Sequence, residues 1–368
     1  MRAARAEVDL GAIAHNVSVL RDVVAPSLLC AVVKADGYGH GAIAVSEAAL
    51  NAGAEWLAVA LIEEAAVLRK SGITAPILLL SQPRLADLSA VVRYDLRVCI
   101  TSSAAVDLLA EAAREQNKVV LVHMKVDTGM NRIGVAPSDA LSLAQEIVNR
   151  PELQLEGVFT HFAVADEPDN PFTDVQLDRY HAVLKELGDA GIFPSLRHSA
   201  NSATAIAHPR GRFDLVRVGI AVYGIAPAPG LPGIPDLRPA LSLRAEVSTV
   251  KRVSAGEGIS YGLRYRFDSD ATVATVPIGY ADGVPRRLGL VGGEVLIGGK
   301  KRPIVGVVTM DQLMVNCGDD HVEVGDEVVL IGTQGNETIT AEEVAGHLDT
   351  IAYEIVCGIG PRVPRFYR

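Results

Sequence analysis

The stretch LLCAVVKADGYGHGA (residues 28–42) decides how the chain folds. A continuous apolar run ends in one lysine, Lys34, and a loop with glycines at 37, 39 and 41 follows. Such runs are typical of strands buried on both faces of a parallel sheet. Burying an ammonium group is costly unless it is paired or used, and glycines let the backbone approach a ligand closely. Lys34 is therefore predicted to be functional, the alternative being a lysine whose head group reaches solvent.

Seven more apolar runs follow before residue 225, one of them VVLVHMKV (119–126). Amphipathic segments with helical spacing separate them, such as SSAAVDLLAEAAREQN (102–117) and DVQLDRYHAVLKELGDAG (174–191). Eight such strand–helix units predict an α/β fold, an N-terminal (β/α)₈ TIM-like barrel. An open doubly wound sheet is the alternative.

The composition changes at PAPGLPGIPDLRP (227–239), which is typical of a linker. β-Branched runs with turn signals follow and predict a C-terminal, mostly-β domain. One helix interrupts it at TAEEVAGHL (340–348), where Thr340 and Glu343 are expected to form a capping box. The predicted domains are 1–235 and 236–368, with residues 1–10 as candidates to pair with the second.

The composition excludes several classes of protein. A net charge of −10 argues against a nucleic-acid partner. The four cysteines are scattered without metal-ligand spacing, so we expect neither a metal site nor a disulfide framework. The first sixteen residues hold no apolar core of signal-peptide length, and the longest uncharged run is broken by Gly and Pro. We therefore expect a cytoplasmic protein without a membrane partner.

Polar side chains are predicted at the carboxyl ends of the barrel strands, where functional residues of such barrels lie. Singly, each has an ordinary structural role: His161 as a core histidine, Ser202 as a helix cap. Together they provide cations and small hydrogen-bond donors at one rim, which suits an anionic, phosphate-bearing ligand. The set comprises Lys34, Lys125, Asp127, Arg132, His161, His198, Asn201, Ser202 and Arg217.

A competing motif is present in the same loop. Gly37-x-Gly39-x-x-Ala42 formally matches the dinucleotide fingerprint, and Glu63 follows the second strand as a candidate ribose-binding acid. The match is weak, because three residues separate the apolar run from the first glycine where the fingerprint requires a tight turn.

Longer motifs resemble one family along almost the whole chain. AVVKADGYGHGA (31–42) is similar to the pyridoxal-phosphate signature of alanine racemases. VDLGAIAHN precedes it at the N-terminus. KVDTGMNRIG, GVFTHFA, HSANSA, RVGIAVYG, ISYGLRY, GYADG, GVVTMDQ and AYEIVCGIGPRVPR follow it, all in the family's order. Asn131 stands where the family more often has glycine.

The resemblance implies pyridoxal 5′-phosphate as cofactor and a homodimer whose active sites are shared between subunits. Lys34 would hold the cofactor as a Schiff base and act as one catalytic base. Tyr261 of the other subunit would be the second base. Arg217 would face the pyridine nitrogen, and His161 would lie beside the ring and connect to Tyr261.

The remaining expected roles also follow from the resemblance. Tyr38, Asn201, Ser202, Gly219, Ile220 and Tyr353 would complete the cofactor site. Substrate would contact Arg132, Met310 and Tyr280, with Asp311 in support. Lys125 occupies the position where some members carry a carbamylated lysine.

The implied reaction is interconversion of L- and D-alanine, which supplies D-alanine for peptidoglycan. Racemisation removes the Cα proton on one face and returns one on the other, so two bases and an electron sink are required. A racemase that also accepts serine is one alternative. A related barrel decarboxylase and a non-catalytic cofactor carrier are two others, although a carrier needs no second base.

Overall fold

The computed structural model describes residues 3–368, which divide into two units. The barrel unit comprises Gly11–Gly37 and Ala42–Arg238. The β unit comprises Tyr38–Gly41 and Pro239–Arg368, together with the described residues up to Leu10. The chain therefore passes from the barrel unit to the β unit at Tyr38, shortly after Lys34, and returns to the barrel unit at Ala42.

The first nine strands alternate with helices, and all except β1 belong to the barrel unit. They are β1 (Arg5–Val8), β2 (Leu28–Val32), β3 (Trp56–Val59), β4 (Ile77–Leu79), β5 (Val98–Ile100), β6 (Val120–Lys125), β7 (Leu153–Phe159), β8 (Leu196–His198) and β9 (Leu215–Val218). The strands β2–β9 coincide with the eight apolar runs of the sequence.

These eight strands close into a parallel barrel. Two sheets have the strand orders β4-β3-β2-β9 and β5-β6-β7-β8. A parallel bridge between Leu78 and Arg97 joins β4 to β5. On the other side, Asp214 N donates to Arg197 O and Arg217 N to Ala200 O, both at 3.0 Å. The predicted (β/α)₈ barrel is confirmed and the open-sheet alternative is wrong.

The first eight helices alternate with the barrel strands in the order that the sequence predicts, and the last two belong to the β unit. They are α1 (Leu10–Val24), α2 (Ala42–Asn51), α3 (Ile62–Lys70), α4 (Leu88–Arg93), α5 (Ser103–Glu115), α6 (Ala140–Val148), α7 (Phe172–Asp189), α8 (Ser202–Ala207), α9 (Ala341–Leu348) and α10 (Ala352–Cys357). Among residues 3–368, no helix has the length and apolarity needed to cross a membrane.

The β unit contains the remaining strands. They are β10 (Leu241–Glu246), β11 (Thr249–Val253), β12 (Gly258–Ile259), β13 (Tyr265–Arg266), β14 (Ala271–Val276), β15 (Glu294–Ile297), β16 (Lys300–Pro303), β17 (Leu313–Gly318), β18 (Glu327–Gln334), β19 (Glu337–Ile339) and β20 (Arg365–Tyr367). The main sheet has the order β16-β15-β18-β10-β1-β20, with β19 paired to β18, and β11-β14-β17 forms a second sheet. The mostly-β domain is thereby confirmed.

The predicted capping box at α9 forms in part. Thr340 Oγ1 accepts a hydrogen bond from Glu343 N at 3.1 Å, as expected of an N-cap. The carboxylate of Glu343 accepts instead from Lys301 Nζ at 2.6 Å. An ion pair to a neighbouring strand thus takes the position of the reciprocal bond.

Asn16 ties helix α1 to the chain that leaves the barrel. Its side chain is fully buried. Its Nδ2 donates to Val222 O at 3.0 Å and to Arg238 O at 2.9 Å, and its Oδ1 accepts from Arg238 N at 2.8 Å. Three backbone groups therefore depend on one amide, which explains why the VDLGAIAHN segment ends in asparagine.

We expect Asn16→Ala to lower the free energy of unfolding by about 2–4 kcal/mol, because the buried Val222 carbonyl and two backbone groups of Arg238 lose their partner. Urea denaturation followed by circular dichroism measures the change. Asn51→Ala, at an exposed position of α2, is the control and should alter the midpoint little. Equal midpoints for the two variants would contradict this role of Asn16.

Candidate active site

The chain turns in a left-handed conformation directly after Lys34. Ala35, Asp36, Gly37 and Tyr38 have φ values of 53°, 52°, 61° and 51°. Only glycine adopts this region without steric cost. Hydrogen bonds hold the turn: Asp36 Oδ1 accepts from Ala42 N at 2.8 Å, and Gly37 N donates to Val33 O at 2.9 Å.

This turn contradicts the dinucleotide alternative. A dinucleotide fingerprint requires a right-handed helix that begins directly at the glycine turn. Here helix α2 begins only at Ala42, after the left-handed turn. Glu63, the candidate ribose-binding acid, is exposed in the first turn of α3.

Glu64, the next residue, is a site residue that the sequence analysis missed. Its Oε1 accepts from Ala35 N at 2.7 Å, and its Oε2 accepts from Ala60 N at 2.8 Å and Leu61 N at 3.0 Å. One carboxylate thus fixes the backbone after Lys34 and the start of α3. The only sequence signal is an acidic pair at the start of a helix that follows a strand.

Arg217 on β9 is a buried cation. Its Nη1 donates to His198 Nδ1 at 2.8 Å. Its Nη2 donates to Thr160 O at 2.9 Å and Ser199 O at 3.1 Å, and lies 3.4 Å from His161 Nδ1. All four acceptors are neutral. Burial among them lowers the pKa of Arg217 to about 10, so the guanidinium stays charged near neutral pH.

His161 is neutral in this setting. Burial, followed by the positive charges of Arg217, Lys125 and Arg132, holds the pKa of the imidazole well below its usual range. Because an arginine only donates, the Nδ1 atom that faces Arg217 carries no proton. The remaining proton is therefore on Nε2, which makes His161 a hydrogen-bond donor at that atom.

Lys125 ends β6 and is buried. Burial lowers the pKa of its amine to about 8, and the charges of Arg217 and Arg132 contribute to the shift. Its Nζ lies 5.5 Å from the centre of the Phe159 ring. A substantial fraction of this amine is consequently uncharged and nucleophilic in mildly alkaline solution.

The loop after β6 is organised by Asp127. Its Oδ1 accepts from Gly129 N at 2.9 Å and Asn131 N at 3.0 Å, and its Oδ2 accepts from Arg132 N at 3.1 Å. Asn131 has a φ of 55°, a conformation that asparagine tolerates better than most residues. The position where the family more often has glycine therefore requires a positive φ, and Asn131 satisfies it.

Ser202 and Gly219 lie together where strands β8 and β9 end. Gly219 N donates to Ser202 Oγ at 3.0 Å, and Ser202, Gly219 and Ile220 are buried. Asn201 caps helix α8, with its Oδ1 accepting from Thr204 N at 2.9 Å. The barrel thus brings the expected phosphate-binding residues of these strands to the same end as Lys34, Lys125, His161 and Arg217.

The other predicted residues belong to the β unit. Tyr38 is buried, and its ring centre lies 6.1 Å from that of Tyr353. Tyr261 is 72% exposed and Met310 is 53% exposed, and Tyr280 is exposed as well. Large apolar and aromatic side chains at this exposure are typical of surfaces that contact another molecule.

Arg362 fastens two of these exposed segments to each other. Its Nη2 donates to Asp311 Oδ1 at 2.6 Å, and its Nε lies 3.3 Å from Oδ1 of the buried Asp282. The backbone adds a second link, because Tyr280 N donates to Thr309 O at 2.9 Å. The sequence analysis assigned no role to Arg362, although GPRVPR is part of the quoted resemblance.

Comparison with known proteins identifies the family. Residues 8–227 match the family model described as alanine racemase, N-terminal domain, and residues 240–367 match that of the C-terminal domain.

The chain belongs to the alanine racemase family.

Similar proteins come from several bacteria. An alanine racemase from Symbiobacterium thermophilum is 51% identical over 100% of this chain and 97% of its own length. The crystal structure of alanine racemase from Streptomyces lavendulae is 41% identical, covers 100% of this chain and 97% of that one, and gives a TM-score of 0.95. A histidine racemase from Leuconostoc mesenteroides is 30% identical, covers 100% and 98%, and gives a TM-score of 0.91.

Alanine racemases depend on pyridoxal 5′-phosphate, and the barrel residues fit this cofactor. A lysine at a strand end can bond its aldehyde carbon. A buried guanidinium matches a ring nitrogen that accepts a hydrogen bond, and a small hydroxyl beside backbone N–H groups matches a phosphate. Within residues 3–368, no group of three or more metal-ligating side chains is present.

We expect Glu64→Ala to weaken retention of pyridoxal phosphate about tenfold, because three backbone donors lose a charged acceptor and the turn after Lys34 loosens. Absorbance of the bound cofactor after dialysis measures the loss. Glu63→Ala, its exposed neighbour, is the control. Equal retention by both variants would show that Glu64 does not position this turn.

Proposed function

We propose that this protein interconverts L- and D-alanine with pyridoxal phosphate. The observation that carries the proposal is Arg217, a buried cation whose acceptors are all neutral, at the same barrel end as Lys34. A guanidinium can donate a hydrogen bond to the pyridine nitrogen but cannot readily give up a proton to it. Arg217 would thereby leave the pyridine nitrogen unprotonated and moderate the electron-withdrawing strength of the cofactor, which suits reversible proton transfer at Cα.

The bound cofactor supplies an electron sink for the charge left when the Cα proton departs. Lys34 would hold the cofactor at its aldehyde carbon, and its amine would serve one face of Cα as a proton acceptor and donor once substrate is bound. The turn fixed by Glu64 and Asp36 limits the movement of the backbone that carries it.

The opposite face of Cα needs a second group, and we propose Tyr261 of a partner subunit in a homodimer. Free tyrosine is a weak base near neutral pH. A donor beside the phenolic oxygen favours its ionised form, and His161 has such a donor at Nε2. The exposure of Tyr261 and Met310 supports a role at a subunit contact.

The substrate carboxylate is assigned to Arg132 of the barrel and to Met310 and Tyr280 of the partner subunit. Asp311 is proposed to support them. The contacts of Arg362 with Asp311 and Asp282 support a fixed geometry for this segment. The hydrogen bond from Arg132 N to Asp127 Oδ2 also supports this assignment, because it fixes the backbone that carries the Arg132 guanidinium.

The cofactor's phosphate is assigned to Ser202, the backbone of Gly219 and Ile220, and the hydroxyls of Tyr38 and Tyr353. Burial raises the pKa of the Tyr38 hydroxyl, with a smaller contribution from Tyr353. Tyr38 is therefore a proton donor at neutral pH, as an anion-binding hydroxyl must be. Asn201 is proposed to act here through the start of α8, which it caps.

Lys125 is proposed to carry a carbamate. Carbon dioxide reacts with an uncharged amine, and one proton is released as the N–C bond forms. A pKa of about 8 makes the uncharged form accessible, and the reaction becomes more favourable as the pH rises through that value. The resulting anion would balance the neighbouring charge of Arg132.

We further propose that the two predicted domains, 1–235 and 236–368, act together in the cytoplasm to supply D-alanine for peptidoglycan. Four free cysteines suit a reducing compartment.

A racemase of broader specificity is the second candidate. The similarity to a histidine racemase across 100% of this chain favours it, because one scaffold then accommodates different side chains. Serine is the smallest departure from alanine and tests the same possibility.

The first experiment incubates the cofactor-loaded protein with L-alanine in D₂O. We expect deuterium at Cα by NMR, together with decay of the optical rotation to zero. L-Serine and L-histidine under identical conditions test breadth. A yellow protein that exchanges none of the three would overturn the racemase assignment and favour a cofactor carrier.

The shared site is tested by complementation. Lys34→Ala and Tyr261→Phe should each be inactive, because each removes one of two required bases. When both variants are co-expressed in equal amounts, about half of the dimers are mixed, and each mixed dimer has one intact site. We therefore expect about a quarter of wild-type activity if the two bases come from different subunits of a two-fold dimer.

Tyr265→Phe is the matched control for Tyr261→Phe, because it removes the hydroxyl of a neighbouring tyrosine that is partly buried. Its homodimer should keep its activity. An inactive mixture of Lys34→Ala with Tyr261→Phe, despite mixed dimers being present by mass spectrometry, would mean that both bases lie in one chain.

A further inference from the structure

A continuous row of hydrogen bonds leads away from Arg217 into the barrel. Arg217 Nη1 lies 2.8 Å from His198 Nδ1, His198 Nε2 lies 2.8 Å from His123 Nδ1, and His123 Nε2 lies 3.0 Å from Glu156 Oε2. Both histidines are fully buried. The reaction described above uses neither histidine nor Glu156.

The two ends of this row determine where its protons are. Arginine only donates, so His198 Nδ1 accepts and the proton of His198 is on Nε2. That proton is donated to His123 Nδ1, which leaves the proton of His123 on Nε2, facing the carboxylate of Glu156. Each histidine therefore has a single allowed tautomer. Burial lowers the pKa of both imidazoles, which agrees with two neutral rings.

The packing around the row fixes the ring positions. The Phe159 ring stacks on His198 with centres 4.7 Å apart and planes 5° from parallel. His198 N donates to Tyr180 Oη at 3.2 Å. A Cβ at Gly157 would lie 2.4 Å from His123 Nδ1, so this position of β7 accommodates His123 only as glycine.

We propose that Glu156 is a positioning residue for Arg217, acting through His123 and His198. The carboxylate of Glu156 is three hydrogen bonds away from Arg217 along this row. Its negative charge therefore stabilises the row, although the carboxylate does not contact the guanidinium. In this way the row orients the Arg217 guanidinium toward the cofactor, and all direct hydrogen-bond partners of Arg217 remain neutral. The functional consequence rests on the proposed role of Arg217, whereas the proton order does not.

Removal of the carboxylate has a specific consequence. Without an acceptor at Nε2, His123 can move its proton to Nδ1. His198 Nε2 must then accept, so the proton of His198 moves to Nδ1, where it opposes the Arg217 N–H. A change at Glu156 is thereby transmitted to Arg217 with no movement of the backbone.

The experiment compares Glu156→Leu with Glu156→Gln, whose amide oxygen can still accept from His123. Gln154→Leu, an exposed position on the same strand, is the control for a leucine on β7. Histidine is labelled with ¹⁵N in the cofactor-loaded protein, and long-range ¹H–¹⁵N spectra report the tautomers. The chain has nine histidines, so single His→Gln variants assign the signals.

In the wild type we expect both His123 and His198 to carry their proton on Nε2. Glu156→Leu should populate the Nδ1-protonated form of both and lower kcat about tenfold or more, the usual scale for a lost outer partner, with KM changing less than roughly threefold. Glu156→Gln should keep the wild-type tautomers and most of kcat.

A wild-type spectrum with a proton on Nδ1 of either histidine would overturn the proposal without any variant, even if Glu156→Leu failed to fold. An unchanged kcat in a Glu156→Leu protein with altered tautomers would overturn its functional part. Because the tautomers are read from NMR, a protein with the expected proton order but no racemisation would count against the proposed function alone.

Discussion

The site depends on holding one positive charge inside the barrel without a carboxylate beside it. Desolvation makes a buried guanidinium costly, and a direct carboxylate partner would offset that cost. Arg217 instead has carbonyl oxygens and imidazole nitrogens as acceptors. Burial, with the positive field of Arg217 added to it, holds the pKa of His161 well below its usual range and lowers the pKa of Lys125. The protonation states of these neighbours thus follow from burial, reinforced by a cation that no carboxylate neutralises.

The second constraint is steric. The backbone must hold Lys34 in place and turn away from β2 directly after it. The residues that form this turn mostly disfavour a positive φ. Ala35, Asp36 and Tyr38 stay in that conformation because hydrogen bonds hold the turn. Ala35 N donates to the Glu64 carboxylate, and the Asp36 carboxylate accepts from Ala42 N. Strain of this kind persists only where the surroundings over-determine the backbone.

The sequence was sufficient for the architecture, and for a physical reason. Each barrel strand is apolar on both faces, so a continuous apolar run identifies it in the sequence. Proline and glycine identify the linker after residue 226. The left-handed turn could not be predicted, because Ala35 and Asp36 give no local signal for it. Glu64, Glu156 and Arg362 were not assigned roles either, since each acts through partners that only the fold brings near. The reciprocal half of the capping box at Thr340 failed because Lys301, distant in sequence, competes for Glu343.

The contacts of Glu64 also bear on how the chain tolerates changes in length. Strand β3 ends at Val59 and helix α3 begins at Ile62, so two residues form the connection. The same carboxylate receives N–H groups from both of them and from the turn after Lys34. One inserted residue would shift the start of α3 by more than a hydrogen bond can follow. This connection is therefore a poor location for insertion or circular permutation, unlike most surface loops of a barrel.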